Sequence, residues 1–162
     1  MPLIRDTCQG ILAGLAGAAV MHGCRLYWET AIRNRRQDGI FGFDKEADVR
    51  SARILYACFS RERLSDRHAS RLGLALHYAY GAMIGVAYIN TRLRVRWFGK
   101  SGVPFGSLLW LCADEIPISL SGVSNPFKRT VASHASALVV HIAFGITLEQ
   151  TLRASRSEGH CH

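Results

Sequence analysis

Long stretches without charged side chains constrain this chain more than any other feature of its sequence. Four apolar runs stand out, at residues 7–24, 72–91, 101–127 and 130–148. Three of them lack Asp, Glu, Lys and Arg altogether, and the run 101–127 is interrupted only by Asp114 and Glu115. A helix of about 20 apolar residues crosses the hydrocarbon core of a bilayer, and ~17 is the lower limit. The four runs therefore predict four helices that cross a membrane.

Basic residues lie mostly between these runs. The formal net charge of +8 could indicate a nucleic-acid partner, but the Lys and Arg side chains concentrate in segments 29–71 and 92–100 and at positions 128 and 129. This distribution is typical of residues that contact phospholipid headgroups next to a membrane helix. We therefore predict a lipid bilayer as the partner and no binding of nucleic acid. The five cysteines show no CxxC spacing, so no disulfide framework is predicted.

The predicted fold class is all-α, a four-transmembrane-helix antiparallel bundle that forms a single integral membrane domain over residues 1–162. The predicted helices cover about 10–28, 72–89, 103–120 and 131–148, with a polar tail from Glu149 onward. In the first loop, the spacing of apolar and charged residues at 45–59 predicts a short amphipathic surface helix. A soluble helical bundle is the alternative, but soluble helices usually carry a polar stripe that these runs lack. The charges of the short loops favour both termini inside the cell.

Glycines spaced four residues apart recur on the predicted helices. This small-xxx-small spacing lets two helix backbones approach closely in lipid. The residues predicted to mediate helix packing are Gly10, Gly14, Gly81, Gly85, Gly106 and Gly145.

Antiparallel threading of four helices brings ionisable residues from each helix to one membrane face. Counting along the helices at 1.5 Å per residue places His22, His77, Asp114 and His134 at similar depth, ~5 to 9 Å inside that face. His141 lies deeper, near the midplane. Glu115 follows Asp114 directly, about 100° around the helix, so both cannot face one site equally.

Ionisable groups inside a membrane need a partner or a water-filled cavity, so this polar cluster has several interpretations. It could be a proton-linked cluster, because imidazole changes charge near physiological pH. It could bind zinc or iron through His22, His77, Asp114 and His134. It could hold haem b with His77 and either His134 or His141 as axial ligands. Hydrogen bonds that only fix helix packing are the remaining alternative.

Motifs of enzymes are missing from the sequence. We find no nucleophile elbow and no phosphate-binding loop, and the glycines have helix-packing spacing instead of the spacing that opens a βαβ unit. The prediction is therefore that the chain is not an enzyme and has no catalytic residues. A homo-oligomer is compatible with the pattern.

Several segments together resemble a known family. They are residues 10–14, 77–88, 104–106, 133–134 and 144–145, with Trp110 and the pair Asp114 and Glu115. In these segments the chain resembles the YagU-like family of bacterial inner-membrane proteins of unknown function. The resemblance covers residues 10 to about 153. It implies four membrane helices, a multi-pass location in the bacterial plasma membrane and an association with acid tolerance, and it supplies no established catalytic residues.

Overall fold

Helices make up all regular structure in the described part of the chain. The computed structural model describes residues 2–33, 45–60, 62–94, 101–115 and 131–157. The elements are α1 (Pro2–Arg33), α2 (Lys45–Ala57), α3 (Asp66–Arg94), α4 (Val103–Trp110), a π-helical turn (Leu111–Glu115) that continues α4, and α5 (Val131–Ser157). The all-α prediction is confirmed, and a helix occupies the segment predicted as amphipathic.

The long helices extend well beyond the apolar runs from which they were predicted. Charged side chains end an apolar run but do not end a helix, which stops where a cap or a turn diverts the backbone. At the start of α3, the Ser65 carbonyl accepts the Ala69 N–H at 2.8 Å, and Asp66 lies in the first turn. An acidic side chain is favourable there because the N-terminus of a helix carries a partial positive charge.

The C-terminal ends of the last two predicted helices also differ from the structure. The predicted end of the last helix at Leu148 is wrong, because α5 continues through a buried Glu149 to Ser157. The predicted helix 103–120 is α-helical only to Trp110 and then widens into the π-helical turn. Its last predicted residues, 116–120, lie outside the described residues.

Glycines bring α1 and α3 into backbone contact. A Cβ atom added to Gly10 would lie 3.0 Å from the carbonyl oxygen of Gly85, and one added to Gly14 would lie 2.1 Å from that of Gly81. As residue numbers rise along α1 they fall along α3, so the two helices pack antiparallel. Only glycine allows so close an approach at these positions.

The α4–α5 contact is built in the same way. A Cβ atom on Gly106 would lie 2.3 Å from the carbonyl oxygen of His141, and one on Gly145 would lie 2.2 Å from that of Gly102. Gly102 also begins α4 with φ 73°, a left-handed conformation that favours glycine. These two helices are likewise antiparallel.

The core lies where α1, α3 and α5 meet. Helix α1 packs against both α3 and α5, α4 packs on α5, and α2 packs on α3. The largest fully buried apolar side chains of the core are Tyr88, Ile89, Phe144, Leu148 and Leu152. The ring of Phe105 on α4 reaches Tyr88, with centroids 4.4 Å apart. The core is therefore densest towards the C-terminal ends of α3 and α5.

Two of the helices, within the described residues, are long and apolar enough to cross a membrane: α3 at Asp66–Arg92 and α5 at His134–Arg156. Val103–Ala113 is apolar but shorter. Helix α1 is long enough but does not reach the same hydropathy, since glycine and alanine, which its contact with α3 requires, are less apolar than leucine or valine.

Candidate functional site

Two of the predicted site residues meet at the α1–α3 contact. The rings of His22 and His77 have centroids 6.5 Å apart, and both side chains are half-buried. The ring of Tyr78 completes a small aromatic group, 6.3 Å from that of His22 and 5.6 Å from that of His77. The four-residue spacing of Gly14, Ala18 and His22 explains the meeting, because it places the histidine on the glycine-lined face of α1.

His77 is fixed by the backbone of α1. Its Nε2 lies 3.2 Å from the carbonyl oxygen of Ala18. Since a carbonyl oxygen only accepts, Nε2 carries the hydrogen and donates it, and in the neutral ring Nδ1 is then the acceptor. His77 thus has one nitrogen that holds the two helices together and one that can take up a proton.

The remaining predicted residues occupy several positions. His141 lies on α5, where its Nδ1 is 2.8 Å from the Ala137 carbonyl oxygen of the same helix. His134 is half-buried near the start of α5. Asp114 and Glu115 belong to the π-helical turn, but their side chains lie outside the described residues.

Relative depth on α3 and α5 can be read from a hydrogen bond that joins them. The Tyr88 hydroxyl donates to Glu149. Counting back along both helices from this bond, Leu138 reaches the level of His77, because each residue rises by the same 1.5 Å. His134 and His141 lie on either side of that level. Within the described side chains, no group of three His, Cys, Asp or Glu residues is arranged to hold a metal ion.

A second polar site, absent from the predicted set, lies at the opposite end of the bundle. Glu149 is almost completely buried, with 1% of its surface exposed. Its carboxylate accepts hydrogen bonds from the Tyr88 hydroxyl at 2.8 Å, from Arg92 Nη2 at 2.8 Å and from Arg153 Nε at 2.6 Å. We call these four residues the Glu149 network. It ties the C-terminal end of α3 to α5 with charge-assisted hydrogen bonds, which are shorter and stronger than neutral ones.

The network is not fully satisfied. Arg92 is mostly buried, and its Nη1 is a buried nitrogen without a hydrogen-bond partner in the described structure. The same holds for the indole nitrogen of Trp110, at the point where α4 becomes π-helical. Buried donors without partners are uncommon in folded proteins and often mark functional or strained positions.

A sequence signal for the Glu149 network did exist. Tyr88 and Arg92 are spaced by four residues, and so are Glu149 and Arg153, so each pair shares one helix face. The predicted membrane helices end before Arg92 and Glu149, because each of these residues stands at the edge of an apolar run. Their partnership depends on which helix ends meet, and that is visible only in the fold.

Over its described residues the chain is all-helical, and two of the described helices are long and apolar enough to cross a membrane. It joins its helices through glycine contacts and carries one polar site near each end. Comparison with known proteins adds no family: no family model, no curated protein and no solved structure matches the chain.

Proposed function

We propose that this chain is a multi-pass protein of the bacterial inner membrane in which α1, α3, α4 and α5 form an antiparallel membrane bundle. The burial of its most apolar helices supports the proposal. Only 28% of the most apolar window of α3 is buried inside the protein, and only 44% of that of α5. Such extensive apolar surface is unusual on a protein surrounded by water, whereas lipid tails are a suitable medium for it.

Helix α1 belongs to the same membrane bundle. Its glycine contacts with α3 leave no room for a lipid layer between the two helices. The outward side of α1 carries apolar side chains such as Leu12, which is 63% exposed, and Val20, which is 37% exposed. If α3 crosses the bilayer, α1 must cross beside it.

Extraction experiments test the membrane proposal. After expression in a bacterial host, the protein is expected to stay in the membrane pellet through alkaline carbonate and high salt, and to require detergent for purification. A monodisperse protein in buffer without detergent would replace the proposal with the soluble bundle. Carbonate-resistant aggregates are distinguished by flotation, since only membrane-inserted protein floats with lipid.

Within this bundle, the pair His22 and His77 gives the protein a proton-linked role. Imidazole is the side chain whose charge ordinarily changes between pH 5 and 8. Two imidazolium rings at a separation of 6.5 Å would repel by about 2.5 kcal/mol at an effective dielectric constant of about 20. Acidification would therefore push α1 and α3 apart at this end, consistent with the acid-tolerance role implied by the family resemblance.

Distance measurements test the proton-linked role directly. Spin labels at the exposed positions Thr30 and Ser70, introduced as Thr30→Cys and Ser70→Cys in a background without other cysteines, report the spacing of α1 and α3 at this end. The spacing is expected to increase between pH 7.5 and pH 5 in bilayer discs. The change is expected to disappear in His22→Gln and to persist in His68→Gln, which alters an exposed histidine. An unchanged spacing would leave His77 with a packing role only.

A transition metal or haem b is the second proposal for the same site. The observation in its favour is that two imidazoles from different helices face each other, with His134 and His141 on α5 near the same level. Zinc and iron both accept imidazole nitrogen. Elemental analysis of the purified protein tests for zinc or iron, and an absorption band near the Soret position tests for haem. Metal-free protein that still shows the pH-dependent spacing would favour the proton-linked role.

A further inference from the structure

Helix α2 has two faces, and only one of them is covered by protein. Ala52 is completely buried, and α2 packs on α3. Ile54 lies about 200° around the helix from Ala52 and is 58% exposed, Leu55 lies at the edge of the covered face and is 40% exposed, and Phe59 directly after the helix is 84% exposed. Together with Cys58, which is also exposed, these side chains form the outer face of α2.

The position of this face along the bundle is fixed by an ion pair. Arg53 of α2 bonds Asp66, the first residue of α3. The C-terminal half of α2 therefore lies beside the first turn of α3. From Asp66 to the start of the charge-free run at Leu72 is ~9 Å along a helix. The headgroup layer on each side of the hydrocarbon core is ~5 to 8 Å thick. The C-terminal half of α2 thus lies at the outer edge of the headgroup layer.

The charges around the outer face are mainly positive. Between residues 49 and 71 the described charged side chains are five arginines and two acidic residues; Arg53 and Asp66 pair with each other, which leaves four arginines and Glu62. The five arginines are Arg50, Arg53, Arg63, Arg67 and Arg71. Apolar side chains flanked by arginines are typical of segments that bind an anionic lipid surface. The apolar side chains insert into the lipid layer, and the arginines bind the lipid phosphates.

We propose that the outer face of α2 docks on the headgroup layer of an anionic leaflet. Ile54, Leu55 and Phe59 insert between the headgroups, and the arginines other than the paired Arg53 contact lipid phosphates. Docking holds α2 against the membrane next to the end of the bundle that carries His22 and His77. The docking of α2 rests on the proposed membrane insertion of α3, so the experiment must distinguish a failure of docking from a failure of insertion.

Depth-dependent quenching provides that test. A fluorophore is attached at Cys58 after the other four cysteines have been changed to serine, and the full-length protein is reconstituted in vesicles of phosphatidylcholine with or without phosphatidylglycerol. Lipids brominated near the headgroup are expected to quench this fluorophore several-fold more than one at Glu62→Cys, an exposed polar position in the following loop. Including phosphatidylglycerol is expected to increase the quenching, and each of Arg63→Gln, Arg67→Gln and Arg71→Gln should lower that preference roughly fivefold.

A third labelling position separates the two proposals. Met83 is 60% exposed in the middle of α3, so a fluorophore at Met83→Cys is expected to be quenched by lipids brominated deep in the tails. Deep quenching at position 83, with equally weak quenching at positions 58 and 62, overturns the docking of α2 and leaves membrane insertion standing. Loss of quenching at position 83 overturns membrane insertion itself. Efficient crosslinking of Cys58 between two copies, without lipid quenching, assigns the outer face to a second copy of the chain and overturns lipid docking.

Discussion

Among the described residues, Glu149 has an environment that strongly restricts substitution. Its carboxylate is buried between two guanidinium groups and a phenol. In the described structure, Glu149 is the hydrogen-bond partner of Arg92 Nη2. Breaking a buried ion pair by removing one charge costs about 3 to 5 kcal/mol, because the other charge stays buried without compensation. Arg153 contributes less, since its side chain is 56% exposed and water can replace the lost partner.

Glu149→Gln is therefore expected to destabilise the folded protein by about 3 kcal/mol, because it keeps the shape of the side chain but removes its charge and replaces an accepting oxygen by a donating NH2 group. Unfolding in mixed micelles with increasing SDS measures this change. Glu62→Gln, at an exposed position in the loop before α3, should change stability by less than about 0.5 kcal/mol. Equal effects of the two substitutions would mean that Glu149 is not buried as described.

A substitution at Tyr88 distinguishes the contribution of hydrogen bonding from that of packing in the Glu149 network. Tyr88→Phe retains the ring that packs on Phe105 and removes only the hydroxyl that donates to Glu149. The expected cost is about 1.5 to 3 kcal/mol, the range for a hydrogen bond to a charged group. The same SDS titration measures it. In the Glu149→Gln background Tyr88→Phe should cost clearly less, and a full additive loss would contradict coupling through Glu149.

At the scale of elements, the glycine contacts decide how closely the helices can approach. A Cβ atom on Gly14 would meet backbone atoms of α3, which cannot move out of the way as a side-chain end could. Gly23, on the same helix, has open space where its Cβ atom would lie. The two glycines form a matched pair, because both lie in the helical backbone of α1 and only Gly14 contacts α3.

Gly14→Ala is expected to destabilise the α1–α3 contact by about 2 kcal/mol, because the helices must separate to admit one methyl group. Gly23→Ala should instead stabilise α1 by about 0.5 to 1 kcal/mol, since alanine loses less backbone entropy in a helix. Thermal unfolding in detergent, followed by circular dichroism, distinguishes the signs. Stabilisation by both substitutions would show that α1 and α3 are further apart than the structure places them.

Local sequence patterns predict which segments are helical better than they predict which helices contact each other. The existence of five helical segments follows from apolar runs and from the amphipathic spacing at 45–59, both of which depend on neighbours in sequence. Residues that set the α1–α3 approach are also visible in sequence, because Gly10, Gly14, Gly81 and Gly85 repeat every four residues. The π-helical turn after Trp110 has no comparable signal. The Glu149 network depends on contact between the ends of α3 and α5, which no single helix encodes.

On the scale of the whole molecule, the proposed bundle places the polar sites at opposite membrane faces. The C-terminal ends of α3 and α5 meet at the Glu149 network, and the same end contains the start of α1 beside Gly85. His22 and His77 lie towards the other end, where α2 pairs with the first residue of α3 through Arg53 and Asp66. If the proposed proton-linked role of His22 and His77 holds, the part of the bundle that responds to pH and the part that the Glu149 network holds rigid lie towards opposite ends.

The number of membrane crossings can be tested by the sidedness of α1. Ile4 and Thr30 are exposed residues near its two ends, and in a bundle with four crossings they lie on opposite sides of the membrane. With both termini inside the cell, as the short-loop charges predict, an impermeant maleimide added to intact spheroplasts is expected to label Thr30→Cys and to spare Ile4→Cys, each in a background without other cysteines. Permeabilised cells serve as the control and should allow labelling at both positions. Equal labelling of the two positions in intact spheroplasts would mean that α1 does not cross, and only a bundle with fewer crossings would then account for the apolar surfaces of α3 and α5.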